Sequence, residues 1–361
     1  MEPTPKYRVI MNYIEAQIQN NTYAPNTKLP TEQKLSEQFG TSRPTVVKAL
    51  DRLRDMGVVY RVQGSGTFVK ESRPGNNIIS VVLPFAQYRD VARLDEMNIL
   101  KGVQKQLSRH GYFTMIHYCN DNGPDFLETI KQVKQSLSAG IIAYVARDVM
   151  NCSEIYDLFM DQYPFVLVDQ PIIGIDLPCV RTDNVKGAML AAKHLVDCGY
   201  DIVYFLSDVN INYNESVRER YIGYCQAVQS CKEQVGFQHV LMDRPTEDTV
   251  YLTGVIRQIL DRHKGRRVGL FCTGDYFASR VYKVLLALGC KIPDQIGIIG
   301  FDGMDVQLPD SKKLSTIAQD FYRIGKLSSE IMLQRLKEPD KTYGTVKAEP
   351  HLIEGETTVH R

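Results

Sequence analysis

The sequence predicts an α/β protein with a small separate N-terminal domain: short helices closed by a hairpin, then a body of two doubly wound parallel sheets. Three observations carry this. Helical periodicity with cap residues runs through the first 56 residues, and two β-type runs around a glycine tip follow. From Ile78 onward, near-continuous apolar strands alternate with amphipathic helices, the pattern of a parallel sheet covered on both faces. Between the two textures lies a polar break, Glu71-Ser72-Arg73-Pro74-Gly75-Asn76-Asn77. The domains are therefore 1–70, a linker at 71–77, and 78–361.

Residues 6–20 predict an amphipathic helix with Val9, Ile10, Tyr13, Ile14 and Ile18 inward. A second helix starts at the N-cap Thr31, carries Leu35 and Phe39 one turn apart, and stops at Gly40. Ser42 caps a third, where Pro44 costs nothing because a first-turn N–H has no intrahelical partner. Val46, Ala49, Leu50 and Leu53 form its buried face and Gly57 closes it. Val58 to Arg61 and Thr67 to Lys70 flank Gln63-Gly64-Ser65-Gly66 as a hairpin.

In the body, the strands read IISVVLPF, YFTMIHY, AGIIAYVA, PFVLVDQ, DIVYFLSD, FQHVLM, RVGLFCTGD and IGIIGFD, with helices at 94–110, 125–138, 184–198, 216–231, 250–264 and 276–288. Two lobes with a cleft between them follow. Ligands of open α/β sheets sit beyond the carboxyl ends of the strands. Those ends offer Phe85, Arg147, Asp148, Asp169, Ser207, Asp208, Asp275 and Asp302. Carboxylates accept from vicinal hydroxyls, arginine donates in pairs, and an aromatic face covers sugar C–H bonds, so this set suits a polyhydroxylated ligand. The plainer use of a strand-end Asp is to cap the next helix.

Composition bounds the function. Residues 1–73 hold 11 Lys and Arg against 7 Asp and Glu, whereas the whole chain is near neutral at +1. A basic head on a mildly acidic body is the footprint of a DNA-binding module joined to a domain with another task. No apolar run is long enough for a membrane span, and the N-terminus lacks a signal-peptide pattern, which implies a cytoplasmic protein. Eight scattered cysteines without CxxC, and histidines without HxxxH or a Cys/His cluster, predict free thiols in a reducing compartment, no metal and no cofactor. There is no GxGxxG after a strand, no phosphate-binding GxxxxGK[ST] and no GxSxG, so no enzyme chemistry is indicated.

A helix whose first turn offers Ser42, Arg43 and Thr45 suits the DNA major groove. Free N–H groups and arginine meet phosphates there, and arginine can pair with guanine O6 and N7. The segment KLPTEQKLSEQFGTSRPTVVKAL followed by DMGVVYRVQGSGTFV resembles the winged helix-turn-helix of the gluconate-repressor (GntR) family across nearly all of residues 6–70. The resemblance implies DNA reading by Ser42, Arg43 and Thr45 and a wing built on Gly64 and Gly66. Thr31, Gln33, Lys48 and Arg61 complete the DNA-binding set. Gln33 and Val47 stand where that family commonly has arginine, which implies a shifted operator sequence.

RTDNVKGAMLAAKHLVDCGY, SVRERYIGY, GDYFASRVYKVLLALGCKIPDQIGIIGFD and LSTIAQDFYRIGKLSSEIML resemble the effector domain of the lactose-repressor family, a periplasmic-binding-protein-like (type I) fold. The resemblance implies effector-binding roles for Phe85, Asp169, Arg220, Asp275, Asp302, Gln319 and Phe321. It also implies one lobe at about 78–180 and 320–338 and another at 181–319 and 339–361. Gly274 replaces the asparagine that usually precedes Asp275, and Gly355 stands where that family often has arginine. The combination resembles the arabinose-repressor subgroup of bacterial regulators. The expectation is a homodimeric repressor of a pseudo-palindromic double-stranded DNA operator, released by a small sugar such as a pentose or deoxyhexose. The alternatives are a ligand-dependent activator and a sugar-binding transport protein.

Overall fold

The computed structural model describes residues 5–19, 22–55, 58–62, 64–70, 77–85, 94–146, 149, 155–159, 163–172, 174–212, 214–231, 235–241, 248–339 and 341–360. The chain divides into two compact units, residues 1–77 and 78–361. The expected linker residues 71–76, the wing-tip Gln63, Gly57, Arg147 and Asp148 lie outside the described residues.

In the first unit, α1 (Lys6–Gln19), α2 (Glu32–Gln38) and α3 (Arg43–Asp55) precede an antiparallel hairpin of β1 (Val59–Val62) and β2 (Gly66–Val69). Ile10 and Ile14, one turn apart on α1, meet Leu35 of α2 and Val46, Leu50 and Leu53 of α3 in one core. Val9, expected inward, is 44% exposed. Neighbouring helical residues are turned by about 100°, so the stripe centred on Ile10 and Ile14 leaves Val9 at its edge. Gly40 takes φ +53° at the turn into α3, a left-handed conformation that side chains disfavour. Tyr60 faces Phe68 across the hairpin, and their rings stack 5.6 Å apart.

The second unit runs β3 (Ile78–Phe85), α4 (Leu94–Ser108), β4 (Phe113–Asn120), α5 (Gly123–Lys134), β5 (Ser138–Tyr144), α6 (Ile155–Phe159), β6 (Phe165–Val168) and β7 (Cys179–Thr182). It continues with α7 (Asn184–Asp197), β8 (Ile202–Ser207), α8 (Glu215–Cys231), β9 (Gly236–Leu241), α9 (Thr249–Arg262), β10 (Val268–Cys272), α10 (Asp275–Ala287) and β11 (Ile296–Asp302). It closes with β12 (Ser315–Ala318), α11 (Phe321–Lys337), β13 (Thr345–Ala348) and β14 (His351–Ile353). The strands form two six-stranded sheets, ordered β13-β7-β6-β5-β3-β4 and β14-β12-β11-β10-β8-β9. Pairing is parallel except between β12 and β14. Central strands such as β6 and β10 are buried throughout, because helices cover both faces.

The chain crosses between the sheets after β7, after β12 and after β13. The third crossing corrects the expected lobe boundaries. Segment 345–348 was expected in the second lobe, but β13 pairs with β7 and belongs to the first sheet. Four residues with a single buried position carry no periodicity that could reveal their partner. α11 returns to the first sheet and crosses α4 at very short range. A Cβ on Gly102 would overlap the carbonyl oxygen of Tyr322, and one on Gly325 would overlap that of Ile99. Glycine is required there by the approach of two backbones. No described helix is long and apolar enough to cross a membrane.

Candidate functional site

The first site is the face formed by α2, α3 and the hairpin. Thr31 is spent on structure, its hydroxyl accepting from Lys34 N at 3.3 Å as the N-cap of α2. Gln33 is exposed and donates to Glu37 at 3.1 Å. At the start of α3 the Ser42 and Thr45 hydroxyls lie 2.9 Å apart. The Arg43 side chain is 73% exposed, with Nε 3.0 Å from Glu32 Oε2. Glu32 Oε1 accepts from Arg61 Nη2 at 3.2 Å, and Arg61 Nη1 also lies 3.3 Å from Asp51. One carboxylate thus ties the arginine of α3 to the arginine of β1, a link the sequence reading did not anticipate. Exposed pairs of this kind contribute about 0–1 kcal/mol, so phosphate can displace Glu32 at little cost. Lys48 sits 4.6 Å over the Tyr7 ring. Gly64 and Gly66 take φ +76° and +119°, which fits the glycine-dependent tip expected of them.

The second site lies where the strand ends of both sheets of the larger unit converge. Arg220, on the first turns of α8, is buried and reaches three elements. Its Nε donates to Asn184 Oδ1 at 2.9 Å, its Nη1 to Thr273 O, and its Nη2 to Asp302 Oδ1 at 3.2 Å. The guanidinium also stacks 3.8 Å from the centroid of Phe301. Asp302 Oδ1 accepts a second bond, from Gln319 Nε2 at 2.8 Å, while Gln319 Oε1 accepts from Thr182 of the first sheet. Asp169, at the end of β6, accepts from Ser216 of α8 at 3.3 Å. Asp169 and Asp302 have φ +72° and +116°, values that cost a non-glycine residue about 1–3 kcal/mol and gather at functional sites.

Two expected site residues are placed differently. Asp275 is fully buried at the start of α10, with Oδ1 accepting from Thr316 Oγ1 at 2.6 Å and Oδ2 from Met304 N at 2.6 Å. Burial, and then the neighbouring Asp302 carboxylate, hold its pKa well above the usual carboxylate range. Asp275 therefore fixes the loop after β11 and presents no oxygen to a ligand. Phe321, expected on the pocket wall, is 9% exposed and packs in the core beneath the first sheet. Its place as the first residue of α11 turns the ring toward that sheet. Phe85 ends β3, and its side chain lies outside the described atoms. Gly274 lies next to the cleft acid, since a Cβ there would stand 3.3 Å from Asp302 Oδ2.

The structure adds an ion-pair group between the sheets that the sequence reading missed. Arg181 of β7, 2% exposed, pairs with Glu215 at 2.7 Å and Glu219 at 3.0 Å, both on α8. Lys347 of β13 lies 3.6 Å from Glu219 and 3.6 Å from Asp183. Burial would lower the Arg181 pKa, but the Glu215 hydrogen bond and the Glu219 and Glu215 charges outweigh it and the value rises. Glu215, Ser216, Glu219 and Arg220 share one face of α8, a spacing visible in sequence. Their partners on β7 and β13 were not, because distant segments supply them. Elsewhere, His194 on α7 and its C-cap Cys198 stand one turn apart beside His360, so the expectation of no Cys/His cluster does not hold.

Two family models match the chain: bacterial regulatory proteins of the gntR family at residues 6–69, and a periplasmic binding protein-like domain at residues 192–358. The arabinose metabolism transcriptional repressor of Geobacillus stearothermophilus is 27% identical over 360 residues, 97% of this chain and 96% of that one. The protein of the same name from Halalkalibacterium halodurans is 23% identical over 348 residues, 93% and 90% of the two chains. A LacI family transcriptional regulator from Enterococcus faecium, solved with bound ribose, superposes with TM-score 0.60 at 22% identity, covering 78% of this chain and 98% of that one.

Proposed function

We propose, for a chain that joins a gntR-type helix-turn-helix domain to a periplasmic-binding-protein-like body and is a DNA-binding transcriptional regulator, that a small neutral sugar in the cleft releases it from its operator. The observation that carries the reading is the buried Arg220 paired to Asp302, an acid held at φ +116° at a strand end. Guanidinium and carboxylate together offer donors and acceptors to vicinal hydroxyls. The names of the near-full-length relatives, which concern arabinose metabolism, and the ribose in a structural neighbour support a pentose as the ligand class.

The mechanism rests on the two-sheet construction. A sugar bridging Asp169 on the side of the first sheet and Ser216, Arg220, Asp302 and Gln319 on the other favours whichever lobe arrangement brings these groups together. Only that differential affinity can shift the equilibrium. A coupling of about 1–3 kcal/mol lowers operator affinity five- to 150-fold. Two copies binding a pseudo-palindrome would convert a lobe rotation into a change of half-site spacing. The edge strand β4 supplies a surface for such a pair: Phe113 is 69% exposed, Tyr118 58%, Ile116 44% and Met115 42%. Operator binding places the protein in the cytoplasm.

A thermal-shift screen of pentoses, hexoses, deoxyhexoses and their phosphates tests the reading. A ligand at about 100 times its dissociation constant adds roughly 2.7 kcal/mol to the folded state. The hit should release operator DNA from the wild type. Arg220→Ala should bind operator normally yet need at least about 30-fold more ligand, the loss of about 2 kcal/mol expected for truncating a buried charged partner. A panel without a hit, or a variant that still responds normally, would sink the sugar assignment.

A further inference from the structure

Away from the cleft, α7 and the C-terminal segment bring together three side chains that no part of the regulatory mechanism uses. His194 on α7 and the C-cap residue Cys198, one turn on, are buried, and the ligating atoms of His194, Cys198 and His360 all lie within 4.8 Å of one another. We propose that these three residues bind a zinc-class divalent cation, which ties the C-terminal segment to α7.

The distances support this chemistry. Cys198 Sγ lies 3.6 Å from His194 Nε2. Zinc–sulfur and zinc–nitrogen bonds of about 2.3 and 2.0–2.1 Å at a tetrahedral angle place those two atoms about 3.6 Å apart. The His194 and His360 rings are nearly perpendicular, at 85° with centroids 5.5 Å apart, so they are not stacked against each other. His360 Nε2 lies 3.4 Å from Glu354 Oε2, the carboxylate partner that metal-bound imidazoles usually have. One thiol and two imidazoles favour zinc over the oxygen-seeking magnesium and calcium, and water can fill the fourth position.

The surroundings are compatible with a cation. Glu354 and Asp197 add negative charge, and the opposing cation, Arg267, is occupied with the carbonyl oxygens of Cys198, Gly199 and Asp294, each at 2.9 Å. Without metal, His194 Nε2 meets the Thr358 hydroxyl at 2.8 Å, and that hydroxyl meets Ser315 Oγ at 2.7 Å. A metal that takes Nε2 leaves Thr358 its serine partner, so no buried polar group is orphaned. The segment is already anchored by Thr357, which donates to Ile298 O at 2.7 Å and accepts from Ser315 N at 2.9 Å. The metal adds a link close to the chain's last residues.

The test uses the full chain, stripped with EDTA and titrated with Zn²⁺ in a calorimeter and with Co²⁺ in a spectrophotometer. One equivalent of Zn²⁺ should bind, and Co²⁺ should give a tetrahedral spectrum with a thiolate charge-transfer band. Cys198→Ser should abolish that band. His360→Ala, at a side chain 53% exposed and so without consequence for folding, should weaken Zn²⁺ binding at least tenfold. No binding, a Co²⁺ spectrum without the thiolate band, or Zn²⁺ affinity unchanged in His360→Ala would each overturn the proposal. The last would mean that another surface group takes the metal.

Discussion

At the scale of single residues, the cleft separates groups that can face a ligand from groups that hold those groups in place. Asp302 and Asp275 show the division, because they are adjacent carboxylates with opposite duties. Asp302 accepts from Arg220 and Gln319 at the mouth of the cleft, whereas Asp275 is enclosed and accepts from Thr316 and a backbone N–H. Burial, reinforced by Asp302, raises the Asp275 pKa above its ordinary 3.8. Its stabilising contribution is therefore complete below that ordinary value and is lost as pH rises through the folded one. Asp275→Asn removes the charge and keeps an acceptor. Relative to wild type, the variant should gain stability as pH rises above about 4, read as the difference in melting temperature. A difference independent of pH would show that Asp275 does not titrate in the fold. Gly355 makes a related point: a Cβ there would overlap the carbonyl oxygen of Lys313, so the arginine common in the resembling family has no room in this backbone.

At the scale of elements, exposure separates edges from centres. β6, β7, β8 and β10 are buried throughout, while β4, at the end of its sheet, presents Phe113 and Tyr118 to solvent. An edge strand with exposed aromatics invites pairing unless something covers it. If a second copy covers β4, Tyr118→Lys should shift the protein from dimer to monomer in sedimentation velocity. Its melting temperature should change little when compared at the same monomeric state, because surface substitutions cost within about 0.5 kcal/mol. An unchanged sedimentation coefficient for a dimeric wild type would place the dimer interface elsewhere. In the N-terminal unit, Glu32 plays an elemental role of its own, bridging α3 and β1 through Arg43 and Arg61.

At the scale of the whole effector body, three chain crossings and a set of charged contacts connect the two sheets. Arg181 on the first sheet and Glu215 and Glu219 on α8 are the most enclosed of these contacts. Removing one partner of a buried pair costs about 3–5 kcal/mol, less where the remaining acids can reach water. Arg181→Met should therefore loosen the lobes and change sugar affinity although Arg181 is not placed against the ligand. Small-angle scattering of the ligand-free protein should show a larger radius of gyration. Identical scattering and unchanged affinity would reduce Arg181 to a local ion pair.

How much was legible beforehand follows from the range of the interactions involved. Caps, periodicity and glycine turns are local, and they sufficed for α2, α3, the hairpin and most of the alternating strands and helices of the body, but not for α6 or α11. Resemblance carried Arg220, Asp302 and Gln319, which the structure does bring together. The short strands β7, β12, β13 and β14 were not readable, because three or four residues hold too little pattern to identify a partner. The sequence by itself determined the two-part architecture and the chemistry available in each part. Tertiary structure alone decided which acid is enclosed, which arginine spans the sheets, and that His360 reaches His194 and Cys198. Those outcomes depend on contacts between residues far apart in the chain, whose positions are set only when the sheets and helices pack.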